Sequence, residues 1–380
     1  MPYHESHSID SDLLFDLCDL ERFHEGPLID GLHRRYNKGW TCTSVSSNLL
    51  VSINPCTPMY IHDKILDFLS DIDASEQFNS SLCLQPHVYS IANRALVEMK
   101  EQMHGNSYQS IILSGLSGSG KTEASKLVMT FLLHAELQKQ KQFSIDTPNF
   151  PLYAVDSSCT IIESFGNAST TCNSNATRFG KYVHFFYNVH QRLISVHTET
   201  YLLEKTRIVS TGSVDRNYHV FYALMNTPSI ATKYKLSKKS DFRILSDESN
   251  DPIVINDLEI NLTKLSAAFR NMELTENEVN EIYALLAAIL HLSNIDCVER
   301  TTLPETNDTI QSVELRSPSI LLSELTFLLG VSSLTFEARI LTQRVQVGTG
   351  DFVYIKHLNG TDVAQNLHAL IKWIYCTLFA

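Results

Sequence analysis

Residues Gly115–Thr122 read G-L-S-G-S-G-K-T, a fit to G-x-x-x-x-G-K-[ST], and this octet constrains the chain more than any other stretch. Before it comes an apolar run, Ile111, Ile112 and Leu113, with the pattern of a short buried strand. After it Ala124, Leu127, Val128, Phe131, Leu132 and Ala135 recur at helical spacing. Strand, loop and helix in that order make a cradle for an anion. Gly115, Gly118 and Gly120 let backbone N–H groups turn toward phosphate oxygens, and the following helix N-terminus adds its dipole. Lys121 has the reach for β- and γ-phosphates, and Thr122 can offer its hydroxyl to Mg²⁺. The loop backbone, with Leu116, Ser117 and Ser119 included, is a candidate nucleotide site.

A chain of 380 residues, 43% apolar and 19% charged, has enough material for a substantial core and does not have the composition of a disordered protein. The formal net charge of −12 disfavours nonspecific binding to nucleic acid or to an anionic membrane. Its eight cysteines contain no C-x-x-C pair, which points away from a zinc site or a disulfide framework. The first residues, MPYHESHSIDSD, lack the basic and apolar regions of a signal peptide. The most apolar stretch, around Ile282 to Leu292, is too short to span a bilayer. A cytosolic protein is the expectation.

Apolar periodicity predicts helices over about 12–36, with a break at Gly26-Pro27, and over Ile61–Leu69, Val88–Met103, Glu276–Leu292, Ser319–Leu329 and Asp362–Phe379. Thr41–Ile53 reads as a strand that Asn54-Pro55 stops. Tyr182–Tyr187 and Leu193–Tyr201 read as a hairpin turning at Asn188–Arg192, and Val345–Ile355 is β-like. Glu136–Asn149, with its Gln/Lys tract at Gln138–Gln142, reads as a solvated connector.

A second chemical cluster follows the octet. Glu163-Ser164-Phe165-Gly166-Asn167-Ala168 precedes Asn173-Ser174-Asn175-Ala176-Thr177-Arg178-Phe179-Gly180-Lys181. Small hydroxyl and amide side chains can reach phosphate oxygens or a cation, an arginine can lock a mobile loop by an ion pair, and glycines let it move. Taken alone, such a string could equally be a polar turn.

With both clusters in view, the chain resembles the motor domain of myosin over almost its whole length. The octet is similar to the family's G-E-S-G-A-G-K-T, the string from Glu163 to its E-S-F-G-N-A, and Asn173–Lys181 to its switch I, N-x-N-S-S-R-F-G-K. Further echoes are Asn54-Pro55 with Tyr60, Pro86-His87, Tyr201–Arg207 (Y-L-L-E-K-T-R), Arg216–Tyr222 (R-N-Y-H-V-F-Y) and Ala369–Tyr375, all in the family's order. Kinesins carry a phosphate loop and a serine-rich switch but lack the E-S-F-G-N-A and Y-L-L-E-K strings.

The resemblance implies an α/β fold of the P-loop NTPase type, a central mixed sheet surrounded by helices, incomplete in this chain. It implies a layout of about 10–135 as an N-terminal subdomain with the phosphate loop, 136–150 as a surface loop, and 151–380 as switch I with the upper actin-side subdomain. ATP and Mg²⁺ are the implied cofactors. Lys121 and the backbone of Gly118–Lys121 would bind phosphates, Ser117 would sit near the γ-phosphate, Asn173 would touch the phosphates, and Thr122 and Thr177 would hold Mg²⁺. Asn54 and Tyr60 would lie on the adenine side, and Arg178 would pair with a glutamate of switch II. Actin filaments are the implied partner, with light chains and cargo engaged through other segments, and the implied location is the cytoplasmic cytoskeleton.

Three departures stand out. Leu116 replaces the family's glutamate in the phosphate loop, Ala176 replaces the first serine of switch I, and the D-I-x-G-F-E string of switch II is absent. Beside the ATP-hydrolysing motor, these departures keep open a nucleotide-binding but non-hydrolysing scaffold or remnant. A metabolic P-loop kinase would need an acceptor site and a lid, and nothing in the sequence signals either. If the sheet is incomplete, Ile111–Ser114 should present unpaired backbone and exposed apolar faces.

Overall fold

A computed structural model describes residues 16–56, 86–101, 108–143, 152–210, 215–245, 262–302, 310–346 and 353–380. The chain divides into two compact units, Met1–Val155 with His184–His197, and Asp156–Val183 with Thr198–Ala380.

In the first unit a single turn at Leu17–Asp19, capped by Asp16 Oδ1 accepting from Cys18 N at 2.9 Å, precedes helix α1 (Glu25–Asn37). Pro27 falls in the first turn of α1, where its missing N–H costs nothing. The strand expected over Thr41–Ile53 is instead a hairpin, β1 (Cys42–Ser44) against β2 (Leu50–Ser52). The polar Ser46-Ser47-Asn48 reverses the chain, with Ser46 at φ +69° and the Val45 N–H donating to Leu49 O at 2.8 Å.

Helices α2 (Val88–Glu101) and α3 (Lys121–Phe143) supply this unit's core. Tyr89, Ala92 and Leu96 meet Leu127, Phe131 and Leu132, and the Tyr89 ring stacks on Phe131 at 5.4 Å. The tract Gln138–Gln142, expected in a loop over 136–150, is helical, because α3 runs on to Phe143. Glutamine, lysine and glutamate are good helix formers, and a polar run on an established helix continues it as readily as it leaves it. The helix expected at Ile61–Leu69 and Tyr60 itself lie outside the described residues.

The run Ile111–Leu113 is not a buried strand. Residues 108–116 join no ladder, Ile112 is 86% exposed and Leu113 39%, and only Ile111 packs against the core. A strand exists only beside another strand, and none lies alongside this run among the described residues.

Helix α4 (Leu152–Gly166) enters the second unit at Asp156 and leads to β3 (Asn167–Ala168), β4 (Ala176–Thr177), β5 (Gly180–Tyr187) and β6 (Leu193–Tyr201). As the spacing predicts, β5 and β6 pair across Asn188–Arg192; Asn188 Oδ1 accepts from the amides of His190 and Arg192, both at 2.9 Å. There follow α5 (His219–Met225), α6 (Pro228–Lys233), α7 (Leu262–Asn271) and α8 (Glu276–Ser293). The chain continues with β7 (Asp296–Thr302), β8 (Ile310–Arg316), α9 (Leu322–Leu328), α10 (Ser333–Leu341), β9 (Thr342–Gln346), β10 (Val353–His357) and α11 (Gly360–Phe379).

Helix α8 starts at a capping box in which Thr275 Oγ1 accepts from Glu278 N and Glu278 Oε2 accepts from Thr275 N. Its apolar length, Leu286 to Leu290, is fully buried beside α11. From α11, Tyr375 stacks on Tyr218 at 5.1 Å and on Phe221 at 5.3 Å, and its hydroxyl donates to Phe165 O at 2.6 Å. Phe379 meets Phe179 edge-on at 5.3 Å.

The described strands form five two-stranded sheets, each strand with one ladder partner. The central mixed sheet that the resemblance implies is therefore not assembled among the described residues. On the β5–β6 hairpin Tyr182, Phe186 and Ile194 are exposed, while Phe185 and Tyr187, of the opposite parity on β5, pack against the helical core. No described helix is long and apolar enough to cross a membrane.

Candidate functional site

In the first unit the octet forms a tight turn onto the N-terminus of α3. Gly118 and Gly120 adopt φ of +81° and +91°, a region that costs an L-residue roughly 1–2 kcal/mol and glycine little. A Cβ on Gly115 would come within 2.5 Å of Ser119 Oγ, so the turn closes only over a glycine. The Ser119 N–H donates to Leu116 O at 3.2 Å, and the helical ladder begins with Ala124 N to Gly120 O at 2.9 Å. The amides of the first turn precede that ladder and point out of the helix end, where an anion is favoured.

Lys121 Nζ donates to Gly115 O and to Leu116 O, both at 2.7 Å, so the ammonium sits on the loop's own carbonyls. Asn54 Nδ2 donates to Gly118 O at 2.7 Å while its Oδ1 accepts from Cys56 N at 3.0 Å. The structure thus brings Asn54 to the octet from 64 residues away. Ser117 is exposed, Thr122 is half-buried in the first turn of α3, and Leu116 holds its apolar side chain out in solvent.

Fit to a phosphate chain can be judged on these groups. Ser119 Oγ is buried with no hydrogen-bond partner, Lys121 supplies a cation beside it, and the glycines keep side chains out of the cradle. A buried orphan hydroxyl, a convergent ammonium and a helix N-terminus suit an anion with several oxygens. The residues present fit the nucleotide that the sequence implies.

In the second unit, Asn173–Arg178 is anchored at both ends. Strand β4 pairs with β3 in the register Asn167 to Thr177 and Ala168 to Ala176, and the Arg178 N–H donates to Gly166 O at 2.9 Å. Before it, Thr170 and Asn173 exchange backbone bonds at 2.9 and 3.3 Å, and Asn173 Oδ1 accepts from Asn175 N at 3.0 Å. The Asn173 carboxamide oxygen is thereby committed to its own turn. Ala176 is buried and Thr177 half-buried.

Arg178 meets a carboxylate within its own unit. Its Nε donates to Glu204 Oε2 at 2.6 Å, and the Arg178 carbonyl accepts from Glu204 N at 3.0 Å. The buried Arg207 also donates from Nε to Glu204 Oε2, at 2.8 Å, and reaches Asp215 Oδ2 at 3.0 Å. Burial alone would raise the Glu204 carboxyl, but the hydrogen bonds and charges of Arg207 and Arg178 outweigh it and hold the group below the usual carboxylate range. Among the described residues the carboxylate that Arg178 meets is Glu204, which lies in the Y-L-L-E-K-T-R string.

Motif reasoning singles out that string and R-N-Y-H-V-F-Y without giving Glu204, Arg207 or His219 a role. The available signal was charge: an acid, Glu204, three residues before an arginine, Arg207, in the string Y-L-L-E-K-T-R. Asn54, the octet and Thr122 belong to the first unit. Asn173, Thr177 and Arg178 belong to the second.

A glycine-rich phosphate loop capping a long helix, inside a mixed helix-and-strand chain, defines an α/β protein of the P-loop NTPase type. Residues 14–380 match the family model described as Myosin head (motor domain), and the chain belongs to that family. It is 30% identical over 373 residues to unconventional myosin heavy chain 6 of Caenorhabditis elegans, covering 96% of this chain and 16% of that protein. It is 30% identical over 389 residues to the myosin-M heavy chain of Dictyostelium discoideum, covering 96% and 22%. Against myosin heavy chain 95F of Drosophila melanogaster it is 30% identical over 398 residues, covering 96% and 30%. The chain thus spans less than a third of the length of these relatives.

Proposed function

We infer that this chain is the ATP-binding part of a myosin-type motor, in which hydrolysis of the β–γ bond of Mg·ATP is coupled to movement along actin filaments in the complete protein. The observation that carries this reading is the octet itself, closed over Gly118 and Gly120 at positive φ at the N-terminus of α3 with Lys121 turned onto it. Membership of the motor-domain family supports the same conclusion.

In this reading Lys121 and the amides of Gly118–Lys121 hold the phosphates, and Asn54, with Tyr60, borders the base. Ser117 and Asn173 approach the terminal phosphate, and the hydroxyls of Thr122 and Thr177 bind Mg²⁺. When bound, the metal neutralises charge developing on the β- and γ-oxygens. The protein's own contribution is positioning and electrostatic stabilisation by donors fixed in advance. Actin is engaged through the upper subdomain and other parts of the motor, and the protein works on the cytoplasmic cytoskeleton.

Lys121→Ala tests the assignment. A charge-assisted contact to phosphate is worth about 1.5–3 kcal/mol, so Mg·ATP and Mg·ADP affinity should fall roughly ten- to a hundredfold by calorimetry. Equal affinity of variant and parent would refute it. Ala176 puts a buried methyl where the family's switch I carries a hydroxyl, so cleavage should be slow. In a motor carrying this segment Ala176→Ser should then raise the single-turnover rate about tenfold or more, a fraction of what proton relays contribute.

A further inference from the structure

Asn175 lies at the joint between two differently built pieces of the switch segment. Before it is a turn closed by Thr170 and Asn173, and after it comes the β3–β4 ladder through Ala176 and Thr177. Although the residue is exposed overall, its side-chain oxygen is held from two elements at once. Asn167 Nδ2, at the start of β3, donates to Asn175 Oδ1 at 3.0 Å, and His219 Nε2, on the first residue of α5, lies 3.1 Å from the same oxygen. A carboxamide oxygen only accepts, so His219 carries its proton on Nε2. Both donors are buried, Asn167 completely.

We propose that Asn175 is the pin of the switch segment, and that His219 and Asn167 are positioning residues that set Asn173 and Thr177 through it; this role rests on the assignment of the chain as a nucleotide-binding motor. The backbone of Asn175 itself is held by its N–H bond to Asn173 Oδ1 at 3.0 Å, which ties it only to its own turn. Asn173 and Asn175 sit in irregular chain, and the ladder after them is only two residues long. Without the two donated bonds the turn and the ladder would be joined through Asn175 by its backbone torsions and by its N–H bond to Asn173 Oδ1, a bond within the turn itself. Thr177 is two residues after the pin and Asn173 two before it, so the pin fixes both at once. Burial, and then the positive charge of Arg216, lower the imidazole to about 4, so near neutral pH His219 is an uncharged single donor. It orients the segment without adding a charge to it.

A segment that senses the terminal phosphate should matter for a triphosphate and little for a diphosphate. The test uses the full chain as wild type, His219→Ala, His219→Gln and Asn175→Ala, with calorimetry against Mg·ADP and against Mg²⁺ with a non-hydrolysable imido analogue of ATP. Amide hydrogen exchange of residues 173–178 is measured without nucleotide. His219→Ala and Asn175→Ala should each weaken the analogue about five- to tenfold, the worth of one net hydrogen bond, with ADP within about twofold. His219→Gln, which restores an N–H donor, should recover most of that loss. Exchange at Asn175–Thr177 should quicken in the two alanine variants. Asn175→Ala truncates an exposed side chain and so guards against a His219→Ala protein that fails to fold.

Unchanged exchange in both alanine variants would overturn the pin whatever the nucleotides do. Equal weakening of ADP and analogue, with a lowered unfolding midpoint, would reduce His219 to a support of the fold and overturn the positioning role. If the wild type bound neither nucleotide, the nucleotide assignment and the positioning role would fall together, and exchange would still decide whether Asn175 holds the turn.

Discussion

Tyr108–Gly120 and Gly166–Arg178 are both short, both built on glycine and small polar side chains, and both carry residues assigned to the proposed nucleotide site. They are held very differently. The first reaches its loop along an apolar run outside any ladder and is tied down by Asn54 and by Lys121 on two carbonyls. The second is laddered through β3–β4, based on the Tyr218–Tyr375–Phe221 stack and tethered by Glu204. A signature written in backbone chemistry can close on itself wherever a helix begins. A signature that works by side-chain placement must have its partners in the same unit, and in the second unit they are present.

The sharpest way to break this comparison is to remove the base of the second segment. Tyr375→Ala should cost about 3–5 kcal/mol, as expected for emptying a buried aromatic site, read from urea unfolding of the chain. A loss below about 1 kcal/mol would mean that the stack does not support the segment. Glu204→Gln comes next, at about 1.5–3 kcal/mol near neutral pH, because it strips charge from two arginine contacts, one arginine being buried.

Acid distinguishes the two changes. The Glu204 carboxyl titrates lower in the folded chain than its ordinary 4.5, so its contribution is complete above that value and is lost as the pH falls through the folded-state value. Stabilities of parent and Glu204→Gln should converge below pH about 4.5, whereas the Tyr375→Ala deficit should persist; a Glu204→Gln deficit that did not shrink would assign the loss to packing.

In the first segment Gly120→Ala should cost of order 1–3 kcal/mol through its φ of +91°, although its Cβ would meet nothing nearer than Asn54 at 3.7 Å. An unaltered unfolding curve would show that the loop relaxes freely. Smallest of all, Ile112→Ser should change stability by no more than about 0.5 kcal/mol, since the side chain is 86% exposed, while reducing self-association in sedimentation. A large destabilisation would mean that Ile112 has a buried partner after all.

These differences also mark what could be seen in the residues alone. The helices were legible where the rule is local: the apolar periodicity of Glu276–Leu292 announces α8, and the glycines with Lys121 announce the octet. Ile111–Leu113 misled because an apolar run describes what a strand needs, while pairing depends on a neighbour elsewhere. The Gln138–Gln142 tract misled in the other direction, since polarity suggests a connector while propensity favours a helix, and α3 runs through it. Asn54 was legible only through the resemblance, its hydrogen bond to Gly118 spanning 64 positions. Arg178 advertised a need for a carboxylate but not which one; Glu204 stands 26 residues away and was visible as part of a string, not as a partner.

The bond from the Tyr375 hydroxyl to Phe165 O joins positions 210 residues apart, and it underlies the switch segment. At about 5–20 residues per second, a ribosome needs roughly 10–40 s to go from one to the other. Phe165 waits through all of that interval, and Tyr218 and Phe221 through the later and larger part of it, for the ring that covers them. The nascent chain therefore carries an uncovered aromatic cluster until α11 arrives, a window in which a chaperone that grips apolar surface has something to hold.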